Sequence, residues 1–295
     1  MQEWPADLSL EMWRRPMTHI IDGKKIANNI CAELKSVVQE LNKDGETITL
    51  AVVLVGENPA SKIYVANKRK TCNEIGIISR EYNLPQTTTE NELLKLIDDL
   101  NSSNEVDGIL VQLPLPAHIN EKNVIERIHP EKDVDSFSEV NIGKLVTKNY
   151  RFLPCTPAGI IEILRHENIE ISGKHCVILG RSNIVGKPLA LLMLNNDATV
   201  TICHSKTKNL QDICKQADIL IAAIGQPRSI KSDMIKPGAI VIDVGINRDA
   251  SGKICGDVDF ENVKDAASYI TPVPGGVGPM TVAMLMKNVI AAKSK

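Results

Sequence analysis

The run CVILGRSNIVGKPLA, residues 176–190, constrains the chain more than any other segment. Its β-rich apolar stretch ends at Gly180, and a helix can begin near Gly186, with Pro188 tolerable in a first turn that needs no N–H there. Such a turn aims a helix N-terminus at whatever lies above the strand. Backbone N–H groups and the positive end of the helix dipole suit a pyrophosphate, provided no side chain blocks the approach. Gly180 leaves the approach open, and Ser182 stands where a middle glycine is usual. A lone glycine-rich turn is weak evidence; its place at the first strand-to-helix junction of a restarted α/β unit strengthens it.

Two such units can be read along the chain. The first opens with a helical pattern through Ile26, Ile30, Leu34, Val38 and Leu41, with Asp22 as N-cap and Gly45 as terminator. The strand ITLAVVLV (48–55), a helix at about 60–75, the strand IISREY, a helix at about 90–102 and the strand DGILVQL follow. After Cys155 the alternation resumes: a helix near 157–167, HCVILG, a helix from 186, ATVTICH, a helix near 208–216, ADILIAAIG and GAIVIDVG. Strands alternating with helices imply parallel sheets. The expected fold class is therefore α/β, with two α/β domains, the second a Rossmann-type parallel sheet, and an active-site cleft between them. Residues 1–16 are expected to be a leader or cloning remnant, 17–150 the first domain and 151–278 the second, with the closing helix at 279–295 packing back on the first. The leader is set apart by holding both tryptophans, Trp4 and Trp13, ahead of Met17.

Composition agrees with two cores and a small-molecule partner. At 295 residues the chain exceeds the size at which a single core usually stops growing. A net charge of −2 with no sustained basic run gives no field to attract nucleic acid or an anionic membrane. No apolar run approaches the roughly 20 residues a membrane span needs. Seven scattered cysteines lack zinc or disulfide spacing, and the six histidines form no ligand set, so no metal site is expected and a reducing cytoplasm fits.

The cofactor can be argued from the strand after the turn, where NAD-binding folds place a carboxylate against the ribose hydroxyls. Here the chain reads His204-Ser205-Lys206-Thr207. Ser205 can donate to a 2′-phosphate, and Arg181 or Lys206 can add charge-assisted bonds, so NADP is expected rather than NAD.

In the first unit, Ser61, Tyr64 and Lys68 are spaced to share one helical face. Such a face is more often simply solvated, especially with Arg69 and Lys70 following, and a catalytic lysine would need burial or a nearby cation. Gln112 sits at the carboxyl end of a parallel strand, where open α/β sheets bind ligands, and Pro114 and Pro116 fix an abrupt exit. Asp133 or Asp135 can hydrogen-bond a heterocycle bearing N–H donors, or cap a turn. PVPGGVGPMT, with Pro274, Gly275 and Gly276, is a suitable wall for a flat ligand or an ordinary loop.

Together the segments VGENPASKIYVANKRK, GILVQLPLP, PEKDVDSF, PCTPAG, GRSNIVGKP, HSKT, GAIVIDVGIN and TPVPGGVGPMT resemble the bifunctional methylenetetrahydrofolate dehydrogenase/cyclohydrolase family, over about residues 18–293. The resemblance implies a homodimer with a folate site in the cleft and NADP on the second domain. It implies oxidation of 5,10-methylenetetrahydrofolate to the methenyl form and hydrolysis of that to 10-formyltetrahydrofolate. By motif, Lys68 corresponds to the general acid/base, Tyr64 to an aromatic folate contact, Gln112 to the residue orienting the lysine and Asp135 to the pterin anchor. Gly180, Arg181, Ser182, Ser205 and Ile246 match cofactor positions; Pro274, Gly275 and Gly276 join the substrate wall. The family usually has glycine where this chain has Ser136, which leaves the pose of Asp135 open, since glycine alone allows φ above zero without penalty. A dehydrogenase-only member and a non-catalytic folate or dinucleotide-binding protein are the alternative readings.

Overall fold

The computed structural model describes residues 18–43 and 45–293, so the expectation about residues 1–16 lies outside the described residues. The chain enters through a two-residue strand, His19–Ile20 (β1), and a long helix, Gly23–Lys43 (α1). Asp22 caps α1 as expected, its carboxylate accepting from the Lys25 N–H at 2.9 Å. Thr49–Val55 (β2) is buried along its whole length, as the centre of a parallel sheet must be. Pro59–Ile75 (α2) starts where Asn58 accepts from the N–H groups of Ala60 and Ser61, and stops at Gly76, whose φ of 93° turns the chain out of the helix. Ile78–Leu84 (β3), Glu90–Ser102 (α3, opened by a Thr89/Glu92 capping box) and Gly108–Val111 (β4) complete a three-stranded parallel sheet in the order β3-β2-β4. Two short helices not read from the sequence, Glu121–Arg127 (α4) and Glu139–Val146 (α5), follow.

The second unit begins with Cys155–His166 (α6). His175–Leu179 (β5), Gly186–Asn195 (α7), Thr199–Cys203 (β6), Leu210–Cys214 (α8), Ile219–Ala222 (β7) and Ala239–Asp243 (β8) form the alternating run expected. A small antiparallel ribbon, Asn247–Arg248 (β9) with Ile254–Cys255 (β10), is followed by Phe260–Val263 (α9), Ala267–Ile270 (β11) and Val277–Lys293 (α10). The main sheet is six-stranded and parallel, in the order β1-β11-β8-β7-β5-β6. From β5 the chain steps outward to β6 and then returns to β7 on the other side, so the topological switch point lies between β5 and β7. β1, first in the chain, closes the far edge of this second sheet through pairing with β11.

α10 joins the two units. It buries Met280, Ala283, Met284, Leu285, Met286, Val289 and Ile290 against α1 and α6, and one apolar cluster runs from Ile26 and Leu50 in the first unit to Ile178 and Leu189 in the second. Each such large side chain contributes roughly 1.5–3 kcal/mol by leaving water, so this helix alone accounts for a large favourable term. Among the described residues no helix is long and apolar enough to cross a membrane, and no group of three or more His, Cys, Asp or Glu side chains can hold a metal ion. The seven cysteines are free thiols.

Candidate active site

The turn after β5 is built by close approach. Gly180 has φ of 120°, a value side chains rarely adopt, and a Cβ there would overlap the Ala223 carbonyl at the end of β7. A Cβ on Gly186 would overlap the Gly180 carbonyl in the same way. The Ser182 hydroxyl accepts from the N–H groups of Val185 at 3.2 Å and Gly186 at 3.3 Å, capping the first turn of α7. At the next strand end, Thr207 folds the chain back by accepting from the His204 N–H at 2.9 Å, and Ser205 and Lys206 are left exposed, as is Arg181. A cradle that any Cβ would fill, at the switch point and below a helix N-terminus, fits the pyrophosphate of a dinucleotide. The exposed serine, lysine and arginine fit an added phosphate.

A cleft of about 430 Å³ opens between the two units, within the range of small-molecule sites. Tyr64 and Asn67 of α2 line one side; Val244 and Ile246 beyond β8 line the other, with Pro274 and Gly275 beside them. The loop 272–276 is held from below. Lys24 at the start of α1 donates its backbone N–H to the Gly275 carbonyl at 2.9 Å, and a Cβ on Gly23 would overlap the Gly276 carbonyl. Gly275 has φ of 107°, and a Cβ on Gly276 would meet Pro272 O at 2.6 Å. The two glycines of Pro-Gly-Gly are therefore demanded by the wall's own structure, Gly275 by its positive φ and Gly276 by its packing.

One turn beyond Tyr64 on α2, Lys68 is only 9% exposed, while Arg69 and Lys70 run outward to pair with Glu81 and Glu74. The Lys68 ammonium donates to Gln112 Oε1 at 3.0 Å, and Gln112 Nε2 donates to the Leu113 carbonyl at 2.7 Å, which fixes which way the amide faces. The solvated-face reading therefore fails for Lys68. The choice between the two aspartates is made by their partners. Asp133 accepts from the N–H groups of Phe137 at 3.3 Å and Ser138 at 2.9 Å and from Asn141 Nδ2 at 3.0 Å, so it is committed to its own turn. Asp135 instead accepts from the Cys155 thiol at 3.7 Å. Burial pushes its carboxyl above the usual range, while the Lys68 charge pulls it back and Asp133 pushes it up. Lys68 is thus hydrogen-bonded to Gln112, and its charge acts on Asp135; Tyr64, Ile246, Pro274, Gly275 and Gly276 line the cleft itself, whereas Lys68, Gln112 and Asp135 are not among its lining residues.

Ser136 does adopt the left-handed conformation, φ 60°, and is fully buried. Its hydroxyl donates to the Phe152 carbonyl at 3.3 Å, and its N–H to the Asp133 carbonyl at 3.0 Å, so two hydrogen bonds hold the serine in a conformation that glycine adopts freely.

Comparison with known proteins agrees with this geometry. The family profile described as "Tetrahydrofolate dehydrogenase/cyclohydrolase, catalytic domain" matches residues 21–135, and the one described as its "NAD(P)-binding domain" matches residues 154–295. The chain belongs to the tetrahydrofolate dehydrogenase/cyclohydrolase family. It is 58% identical over 279 residues to the bifunctional protein FolD of Agathobacter rectalis, covering 95% of this chain and 100% of that one. The crystal structure of the bifunctional enzyme FolD, methylenetetrahydrofolate dehydrogenase/cyclohydrolase, from Campylobacter jejuni superposes with a TM-score of 0.93 at 51% identity, over 95% of this chain and 99% of that one. The Trypanosoma brucei methylenetetrahydrofolate dehydrogenase-cyclohydrolase, solved with NADP and an inhibitor, gives 0.91 at 40% identity, over 95% and 98%.

Three residues near the site carried no usable signal in the sequence. Asn288 of α10 reaches the turn of Asp135, donating to the Val134 and Leu153 carbonyls, each at 2.8 Å. Asp243, among the cleft-lining residues, and Asp257 behind it are buried, the first at the end of a strand expected from the sequence and the second in a stretch with no pattern of its own. In each case a local pattern cannot reveal a partner far along the chain.

Proposed function

We propose that this chain carries both activities of its family: NADP-dependent oxidation of 5,10-methylenetetrahydrofolate to 5,10-methenyltetrahydrofolate, and hydrolysis of the latter to 10-formyltetrahydrofolate. The observation that carries the reading is the buried Lys68 hydrogen-bonded to the half-buried Gln112, with its charge acting on Asp135, one helical turn from Tyr64 in the cleft lining. Bound at the turn of Gly180, Arg181 and Ser182, with Ser205 against its extra phosphate, NADP supplies the two-electron acceptor for the oxidation. The chain's task in that step is alignment, which the cleft between Tyr64 and Val244–Ile246 serves by holding a flat substrate against one wall. Hydrolysis demands more of the side chains. A proton must leave the attacking water and another must reach the departing ring nitrogen, and Lys68 is the group we assign to both transfers. Gln112 holds the amine in one direction through its own locked amide. Asp135 anchors the N–H donors of the pterin, and Pro274, Gly275 and Gly276 back the ring.

The accommodated Ser136 favours the catalytic reading over a non-catalytic folate or dinucleotide binder, because the positive φ at which the family usually has glycine is held here by the serine's own hydrogen bonds. We further propose a cytoplasmic homodimer, as the family resemblance suggests; light scattering on the purified protein tests the dimer. The activities are tested by mixing protein, 5,10-methylenetetrahydrofolate and NADP and following NADPH and the methenyl product separately. Both NADPH formation and loss of the methenyl form are expected. Absence of NADPH overturns the proposal, and accumulation of methenyl product without hydrolysis reduces the protein to a dehydrogenase.

A further inference from the structure

Two buried carboxylates have no part in the roles above. Asp243 ends β8 and Asp257 follows β10, and they are 3% and 0% exposed. A buried charge is costly unless donors surround it. Asp243 accepts from the N–H groups of Gly245 at 2.9 Å, Asp257 at 3.0 Å and Val258 at 2.9 Å. Asp257 accepts from Ile224 at 2.7 Å, Gly225 at 3.1 Å and Gln226 at 2.8 Å, and from Asn247 Nδ2 at 2.8 Å. The donors come from three segments: the loop after β7, the loop after β8 and the stretch 257–258. Glycine is required between them, because a Cβ on Gly245 would overlap the Asp257 carboxylate and one on Gly256 the Asp243 carboxylate.

The segments tied together are those along which a dinucleotide must run. With the pyrophosphate at Gly180 and the adenosine end toward β6 and Ser205, the remainder extends across β7 and β8. Ile224–Gln226 and Val244–Ile246 are the chain at those two strand ends, and Asp243 through Ile246 line the cleft shared with Tyr64. Neither carboxylate is hydrogen-bonded to Lys68, Gln112 or Asp135.

We propose that Asp243 and Asp257 are positioning residues for the oxidation. They lock the loops beyond β7 and β8 against each other and so set the wall on which the reacting end of the dinucleotide rests. Hydrolysis, which uses Lys68 and needs no dinucleotide, is insensitive to them. The inference rests on the NADP and folate reading of the cleft.

Two variants test it. Asn247→Ala removes one donor and leaves both carboxylates; Asp257→Asn presents an amide NH₂ to backbone N–H groups. Four measurements are made on each: amide hydrogen exchange at residues 224–226 in cofactor-free protein, NADP affinity by fluorescence titration, dehydrogenase turnover with bridge-deuterated and ordinary substrate, and cyclohydrolase turnover from 5,10-methenyltetrahydrofolate without NADP. Exchange is expected to accelerate about tenfold as the loop loosens. NADP affinity is expected to fall and the primary isotope effect to rise, with dehydrogenase kcat down about tenfold for Asn247→Ala and further for Asp257→Asn. Cyclohydrolase turnover stays within about twofold. Equal loss of both activities, or unchanged exchange and dehydrogenase kcat, overturns the inference while the wild type remains active. An inactive wild type instead overturns the functional reading beneath it. If Asp257→Asn does not fold, Asn247→Ala decides the matter alone.

Discussion

Ser136 shows how a single side chain can meet a backbone demand made for glycine. Its φ of 60° costs an L-residue roughly 1–2 kcal/mol. The hydroxyl bond to Phe152 O returns about 1 kcal/mol, and glycine would lose more chain entropy on folding. Ser136→Gly is therefore expected to change stability by less than about 1 kcal/mol, whereas Ser136→Ala, which keeps the strain and loses the bond, is expected to cost about 1 kcal/mol more than the glycine variant; urea unfolding measures both. Lys68 gives the sharper functional test. Lys68→Met is expected to lower cyclohydrolase turnover by about 10²-fold or more while leaving the NADP dissociation constant within about threefold, read by single-turnover hydrolysis and by titration. Much of this site was legible as residue types at a spacing. Tyr64 and Lys68 announced a shared helix face and Gln112 a strand end. What could not be read was burial: the same spacing describes Arg69 and Lys70, which face water, and only the packing of α2 on the sheet distinguishes them. Asp133 and Asp135 were indistinguishable for the same reason, because the donors that claim Asp133 lie up to eight residues on.

At the scale of elements, periodicity carried the long helices and the buried strands. α1, α2, α3 and β2 fall where apolar spacing and caps put them, because each has a face or a whole length removed from water. β1 is two residues long and exposed, and β11 runs straight into the proline-rich loop, so neither presents a pattern of its own. α4 and α5 are 7 and 8 residues, too short for a clear period. The strand-to-helix turn, by contrast, was legible because glycine is the only residue its geometry admits. Gly180→Ala is expected to force β5 and β7 apart, costing about 2–3 kcal/mol and weakening NADP by at least about tenfold, as thermal melting and cofactor titration would show. A substitution accepted without loss of either would mean that the turn is not the cofactor's cradle.

For the whole molecule, the sequence implied two units but not how firmly they are joined. The cluster that α10 completes contains side chains from both, and Asn288 pins the same helix to the turn bearing Asp135. The expected consequence is one cooperative unfolding transition, with calorimetric and van't Hoff enthalpies equal; two separated transitions would contradict a shared core. Asn288→Ala, which leaves the Val134 and Leu153 carbonyls short of a donor, is expected to cost about 1–3 kcal/mol and to weaken folate binding before it affects NADP. α10 also sets a rule for anyone recombining relatives of this protein. Because the last helix of the nucleotide-binding half packs on α1 of the first unit as well as on α6 of its own, a graft cut between the sheets would separate that helix from one of the two surfaces it covers. A chimera that changes cofactor preference has to leave α1, α6 and α10 with a common parent and exchange only the strand-end loops that lie between them.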